Sequence, residues 1–103
     1  MPTRPKEAEG VVTKEEVRTK EPPMYRVLLL NDDYTTMDFV VHVLEQIFHK
    51  DKGEATTIML QVHASGRGTA GVYPREVAET KMAVVHHVAR QHEYPLKCQM
   101  EPV

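Results

Sequence analysis

Three short polar residues, Asn31-Asp32-Asp33, follow an apolar run and precede an amphipathic one. Two adjacent carboxylates and an amide at a strand end can accept hydrogen bonds from an ammonium group. Beside an apolar pocket, that arrangement would recognise the free N-terminus of a chain, since capture of an N-terminal amine is a known recognition mode. The same three residue types also make ordinary turns and helix starts, and spacing alone does not separate the two readings. The six histidines are the other candidate chemistry. His42 and His49 lie seven residues apart on one helix face, and His86 and His87 point to different faces. Neither pair has ligand spacing with a carboxylate partner. His63 differs because it ends a helix beside an apolar stripe. By spacing it fits a half-buried histidine satisfied by a backbone group.

Several signatures are absent from the sequence. It contains no G-x-S-x-G, H-E-x-x-H or P-loop pattern. Gly66, Gly68 and Gly71 form a loose cluster that suits a turn and the start of a strand. The single cysteine, Cys98, excludes an internal disulfide and a cysteine-based zinc cluster. A reducing, cytoplasmic setting is expected. Thirteen Lys+Arg against 15 Asp+Glu argue against a dedicated nucleic-acid binder. No apolar run is long enough to span a membrane, and the acidic N-terminus reads as neither a signal nor a transit peptide.

The elements that must position these residues follow from patterning. The 103 residues suit one small domain. Residues 1–23 hold five Lys/Arg, five Asp/Glu, four prolines and no aromatic residue, so a disordered extension is expected there. Residues 24–103 carry all six aromatics and can form one modest core. Met24–Leu30 reads as a strand, and Asn31–Thr35 as a turn. Thr35 is the expected N-cap, with Asp38 three residues on, of a helix over 36–49. Ala55, Ile58, Met59 and Val62 mark a second helix ending near Gly66. Val72-Tyr73 reads as a short strand. Pro74 opens a third helix with the stripe Val77, Lys81, Val84, Val85 and Val88, which Tyr94-Pro95 stops. Leu96, Cys98 and Met100 alternate in a last strand. The order β-α-α-β-α-β predicts a small α+β sandwich, a three-stranded antiparallel sheet packed against three helices.

Read together, these segments resemble the ClpS family, adaptors of the Clp protease. The likeness lies in Tyr25–Thr35 (YRVLLLNDDYT), Met37-Asp38-Phe39-Val40, Ile58-Met59-Leu60, Val62-His63, Glu76–Lys81 (EVAETK) and Pro95-Leu96. It runs from Met24 to Glu101 without a large gap. The resemblance implies a non-enzymatic, cofactor-free adaptor. Such an adaptor binds proteins that start with Leu, Phe, Tyr or Trp and delivers them to the ClpA unfoldase for degradation by ClpP in a bacterial cytoplasm. By the same resemblance, Asn31, Asp32 and His63 would hold the α-amino group and the first peptide bond. Asp33 and Thr35 would sit at the rim. Met37, Val40, Met59, Val62 and Leu96 would wall the side-chain pocket, with Met37 as the gate. Glu76 and Lys81 would dock on the ClpA N-terminal domain, and the extension would serve delivery. Thr36 stands where the family usually has proline, and as a first helical residue it would gain stability from that replacement. A monomer is expected, with no nucleic-acid or membrane partner. Two other readings stay open on residue types alone: a stalk-like protein-interaction domain, and a metal-binding protein built on the histidines.

Overall fold

A computed structural model describes residues 21–103; residues 1–20, which hold most of the expected extension, lie outside them. Strand β1 (Met24–Leu30) is the middle of a sheet ordered β2-β1-β3. Its partners β2 (Arg67–Pro74) and β3 (Lys97–Pro102) both run antiparallel to it. The apolar, β-branched and leucyl run of β1 suits a strand flanked on both sides, and its register with β2 shifts once, between Val27 and Leu28. Val27 and Leu29 point from it into the core and are fully buried. On the opposite pleat, Arg26 pairs with Glu101 across to β3 at 3.2 Å.

Three helices complete the two layers, in the expected α+β order. Helix α1 spans Met37–Gln46, α2 spans Lys52–Ser65 and α3 spans Arg75–Gln91. Two histidines, His42 and His87, lie exposed on α1 and α3. The core joins Val40, Val43 and Leu44 of α1 with Ala55, Met59 and Val62 of α2 and Ala78, Val85 and Ala89 of α3. Asp51 caps α2 by accepting from Glu54 N–H at 2.7 Å, and Gly66 ends it in the left-handed region at φ 93°.

Four local expectations need correction. The N-cap of α1 is Thr36, not Thr35: the Thr36 hydroxyl accepts from Phe39 N–H at 3.1 Å. Thr35 is already committed to Asp32, so the next hydroxyl takes the cap. Helix α1 also ends at Gln46 and not 49, because His49 turns left-handed at φ 57° and lets Phe48 fold back into the core. Strand β2 is longer than Val72-Tyr73 and includes Gly68 and Gly71 within it. Last, α3 buries Ala78, Val85 and Ala89, while Val77 and Val84 are each 42 % exposed. Small alanines let the helix approach the sheet, and a reading weighted by side-chain size selected the neighbouring stripe.

Candidate functional site

The site begins where β1 ends. Asn31 N–H donates to the carbonyl of Gly66 at 2.9 Å, which ties the polar turn to the C-terminus of α2. Gly66 N–H in turn bonds Val62 carbonyl at 2.9 Å. The end of α2 that carries Val62 and His63 is therefore fixed relative to Asn31 and Asp32.

Asp32 organises the rest of the turn. Its Oδ1 accepts from Tyr34 N–H at 2.8 Å and from Thr35 N–H at 2.6 Å, and its Oδ2 accepts from the Thr35 hydroxyl at 2.7 Å. A carboxylate offers about four acceptor positions, so one on Oδ2 is left. Partial burial pushes the Asp32 carboxyl up. The bonds from Thr35 N–H, the Thr35 hydroxyl and Tyr34 N–H together outweigh that and hold it below the ordinary aspartate value. Asp32 is thus a charged, oriented acceptor at neutral pH.

Asn31, Asp32, Asp33, Thr35 and His63 line one cavity together with Met37, Val40, Met59 and Val62. Its volume is ≈ 250 Å³, below the roughly 300–1,000 Å³ of drug-sized pockets, so it suits one side chain. The polar residues come from the β1–α1 turn and the end of α2. The apolar ones come from the facing sides of α1 and α2. Val40, Met59 and Val62 are buried, whereas Met37 is 43 % exposed. Two thioethers beside two valines make an adaptable apolar wall. Leu96 is buried in the core and is not among the residues lining this cavity.

Glu76 and Lys81 lie elsewhere, in a groove of ≈ 530 Å³ between the end of α1 and α3. Ile47, Val77 and Val84 give it apolar walls. Sequence reading missed Val77 and Val84 as surface, because β-branched residues at helical spacing look like core, whereas Ile47 is partly buried against the core. Lys81 Nζ donates to the Ile47 carbonyl at 2.7 Å and stands 5.5 Å from the Tyr73 ring centre. Among the described residues, no three His, Cys, Asp or Glu side chains gather closely enough to hold a metal ion. No described helix is long and apolar enough to cross a membrane.

The chain matches the family model of the ATP-dependent Clp protease adaptor protein ClpS over residues 20–99. It is 59 % identical over 92 residues to the ATP-dependent Clp protease adapter protein ClpS of Parvibaculum lavamentivorans, covering 89 % of this chain and 84 % of the relative. It is 54 % identical over 99 residues to the Desulfotalea psychrophila ClpS, covering 96 % and 97 %. Its fold is similar to that of Agrobacterium tumefaciens ClpS2 bound to L-phenylalaninamide. That match has a TM-score of 0.77 and 34 % identity, and covers 81 % of this chain and all of that one. The chain belongs to the ClpS family of Clp protease adaptors.

Proposed function

We propose that this chain binds the free N-terminus of proteins beginning with Leu, Phe, Tyr or Trp and delivers them to the ClpA unfoldase. The supporting observation is the joint cavity. It joins a charged, oriented Asp32 with the buried Val40, Met59 and Val62 in one lining. The phenylalaninamide in the A. tumefaciens relative has the parts this cavity would need to meet. Its amine stands for a chain N-terminus, its benzyl group for the first side chain, and its amide for the first peptide bond.

The remaining acceptor position of Asp32 takes the ammonium, with Asn31 and His63 supplying further hydrogen bonds to the amine and the first peptide group. An α-amino group has a pKa of about 7.7–8.0, so it is mostly protonated near neutrality. Acetylation removes the charge and two donors. The side chain enters between Met37, Val40, Met59 and Val62, with Thr35 and Asp33 at the rim. Full burial of a Leu or Phe side chain is worth about 1.5–3 kcal/mol, and a hydrogen bond to a charged group about 1.5–3 kcal/mol. Further peptide contacts are needed to pass micromolar affinity, which requires about 8 kcal/mol.

The groove bearing Glu76 and Lys81 serves as the face for the ClpA N-terminal domain. Residues 1–23 form the arm used in delivery, and the adaptor works as a cytoplasmic monomer that catalyses no reaction itself. The test is fluorescence anisotropy with a labelled peptide beginning with Phe and with its N-acetylated twin. Binding of the free peptide alone is expected. Binding of neither, or equal binding of both, overturns the proposal.

A further inference from the structure

We infer that Gly68 is a positioning residue that sets how large a first side chain the cavity admits. The inference rests on the side-chain pocket proposed above. Gly68 lies within β2, opposite Leu29, and is itself buried. Its φ is not left-handed, so glycine is there for space and not for backbone freedom. A Cβ at this position would stand 2.9 Å from Val62 Cγ2, 3.3 Å from the Ile58 carbonyl oxygen and 3.5 Å from Val62 N. The absent side chain is what lets the last turns of α2 lie directly on β2.

Val62 is held between that contact and the cavity. It is 3 % exposed, it belongs to the core cluster, and it also lines the ≈ 250 Å³ space. Close-packed surroundings do not yield easily, whereas a void offers no opposing atoms. A methyl group added at 68 therefore drives the Val62 side chain into the open volume it borders. The cavity shrinks from the side of α2, while Asn31, Asp32 and Thr35 keep their own hydrogen bonds. The consequence is selective: flat aromatic side chains lose room before the smaller leucyl group does. Gly68 thus tunes which first residues are accepted without touching the bound peptide.

The experiment compares dissociation constants for peptides beginning with Phe and with Leu, with thermal unfolding as a check on folding. Gly68→Ala is expected to lower the Phe-to-Leu affinity ratio by about tenfold, the scale of one misplaced methylene in an apolar pocket. An equal loss for both peptides, or no change in the ratio, overturns the inference and leaves Gly68 with a purely structural role. A second pair keeps the test decisive if Gly68→Ala alone does not fold. Val62→Ala removes the colliding methyl, so Val62→Ala and the double variant Gly68→Ala/Val62→Ala should share one Phe-to-Leu ratio. A lower ratio in the double variant would show that residue 68 acts by another route. Failure of the unaltered protein to bind the free Phe peptide would instead count against the pocket itself.

Discussion

Thr35 donates twice to Asp32, its N–H to Oδ1 at 2.6 Å and its hydroxyl to Oδ2 at 2.7 Å. The residue proposed to bind the amine is therefore also the one that shapes the turn. Its two roles separate by substitution. Asp32→Asn keeps an acceptor for the backbone N–H groups but removes the charge. Affinity for a free Phe peptide should fall at least about tenfold, with stability changed by about 1 kcal/mol or less. Asp32→Ala loses the turn bonds as well and should cost about 1–2 kcal/mol in urea unfolding besides abolishing binding. Retained affinity in Asp32→Asn would mean the ammonium is held by neutral acceptors.

The pH dependence of binding follows from the same carboxylate. Its folded pKa is held below the ordinary aspartate value of about 3.9, so its charge is present above that value. The charge is lost as the pH falls through the lower folded value, and the stability its hydrogen bonds give declines from about pH 3.9 down to that value. The alkaline limit belongs to the ligand. Above about pH 8 the peptide amine loses its proton, and affinity should decline by up to tenfold per pH unit. Titrations of the free Phe peptide from pH 7 to 9.5 check this. A flat profile would remove the ammonium from the binding scheme.

His86, which does not line the cavity, couples folding to pH. Its Nε2 accepts from Cys98 N–H at 3.1 Å and lies 3.5 Å from Cys98 Sγ. Burial, then the positive charges of Lys97 and Arg90, hold its pKa below the ordinary value of about 6.5. The unfolded chain therefore takes up this proton first as the pH falls, and stability should decrease between about pH 6.5 and the lower folded value. Burial pushes the Cys98 thiol up to about 12, so it stays protonated throughout. His86→Gln retains an acceptor but cannot titrate. Its urea midpoint should fall less steeply from pH 6.5 to 5 than that of the unaltered protein. Parallel slopes would assign the acid sensitivity to other groups.

Much of this arrangement is readable in the sequence. Strand β1 was visible because Val27–Leu30 is apolar without a break, and α2 because Ala55, Met59 and Val62 sit at helical spacing. The polar turn was visible in its residue types. What local pattern cannot give is which of two adjacent groups takes a partner. Thr35 and Thr36 are chemically the same, and only the commitment of Thr35 to Asp32 leaves the cap to Thr36. Likewise Val77 and Ala78 compete for one face, and the close approach of α3 to the sheet selects the alanine. The role of Gly68 depends on a contact between β2 and α2, which no spacing rule records.

Thr36 offers a direct test of the helix start. As N-cap it has φ −73° and ψ 153°, and its hydroxyl bonds Phe39 N–H. Thr36→Ala should cost about 1 kcal/mol, the usual value of a lost cap. Proline fits that φ, so Thr36→Pro loses the cap bond but regains about 0.4–1 kcal/mol by restricting the unfolded chain. The expected order of melting temperature is Thr, then Pro, then Ala. This replaces the expectation that proline raises stability, which took Thr36 as a first helical residue. A Tm for Thr36→Pro above that of the unaltered protein would restore it.

Lys81 gives the last test, because it joins the two sides of the second groove. Its ammonium meets the Ile47 carbonyl, a C-terminal group of α1 that lacks a partner within the helix, at 2.7 Å. A cation there also opposes the negative end of the helix dipole. Lys81→Met keeps the aliphatic stem and removes the donor. Unfolding in urea should show a loss of about 1–2 kcal/mol. Amide exchange at Ile47 and Lys50, whose N–H groups bond Val43 and Leu44 carbonyls, should quicken as the end of α1 loosens. Unchanged stability and exchange would mean that water serves the Ile47 carbonyl equally well, leaving the Lys81 charge to act only at the surface. If both change, weaker ClpA binding by this variant combines a lost charge with a displaced Ile47 wall. Glu76→Gln then becomes the cleaner probe of charge at this face, since no described ion pair engages the Glu76 carboxylate.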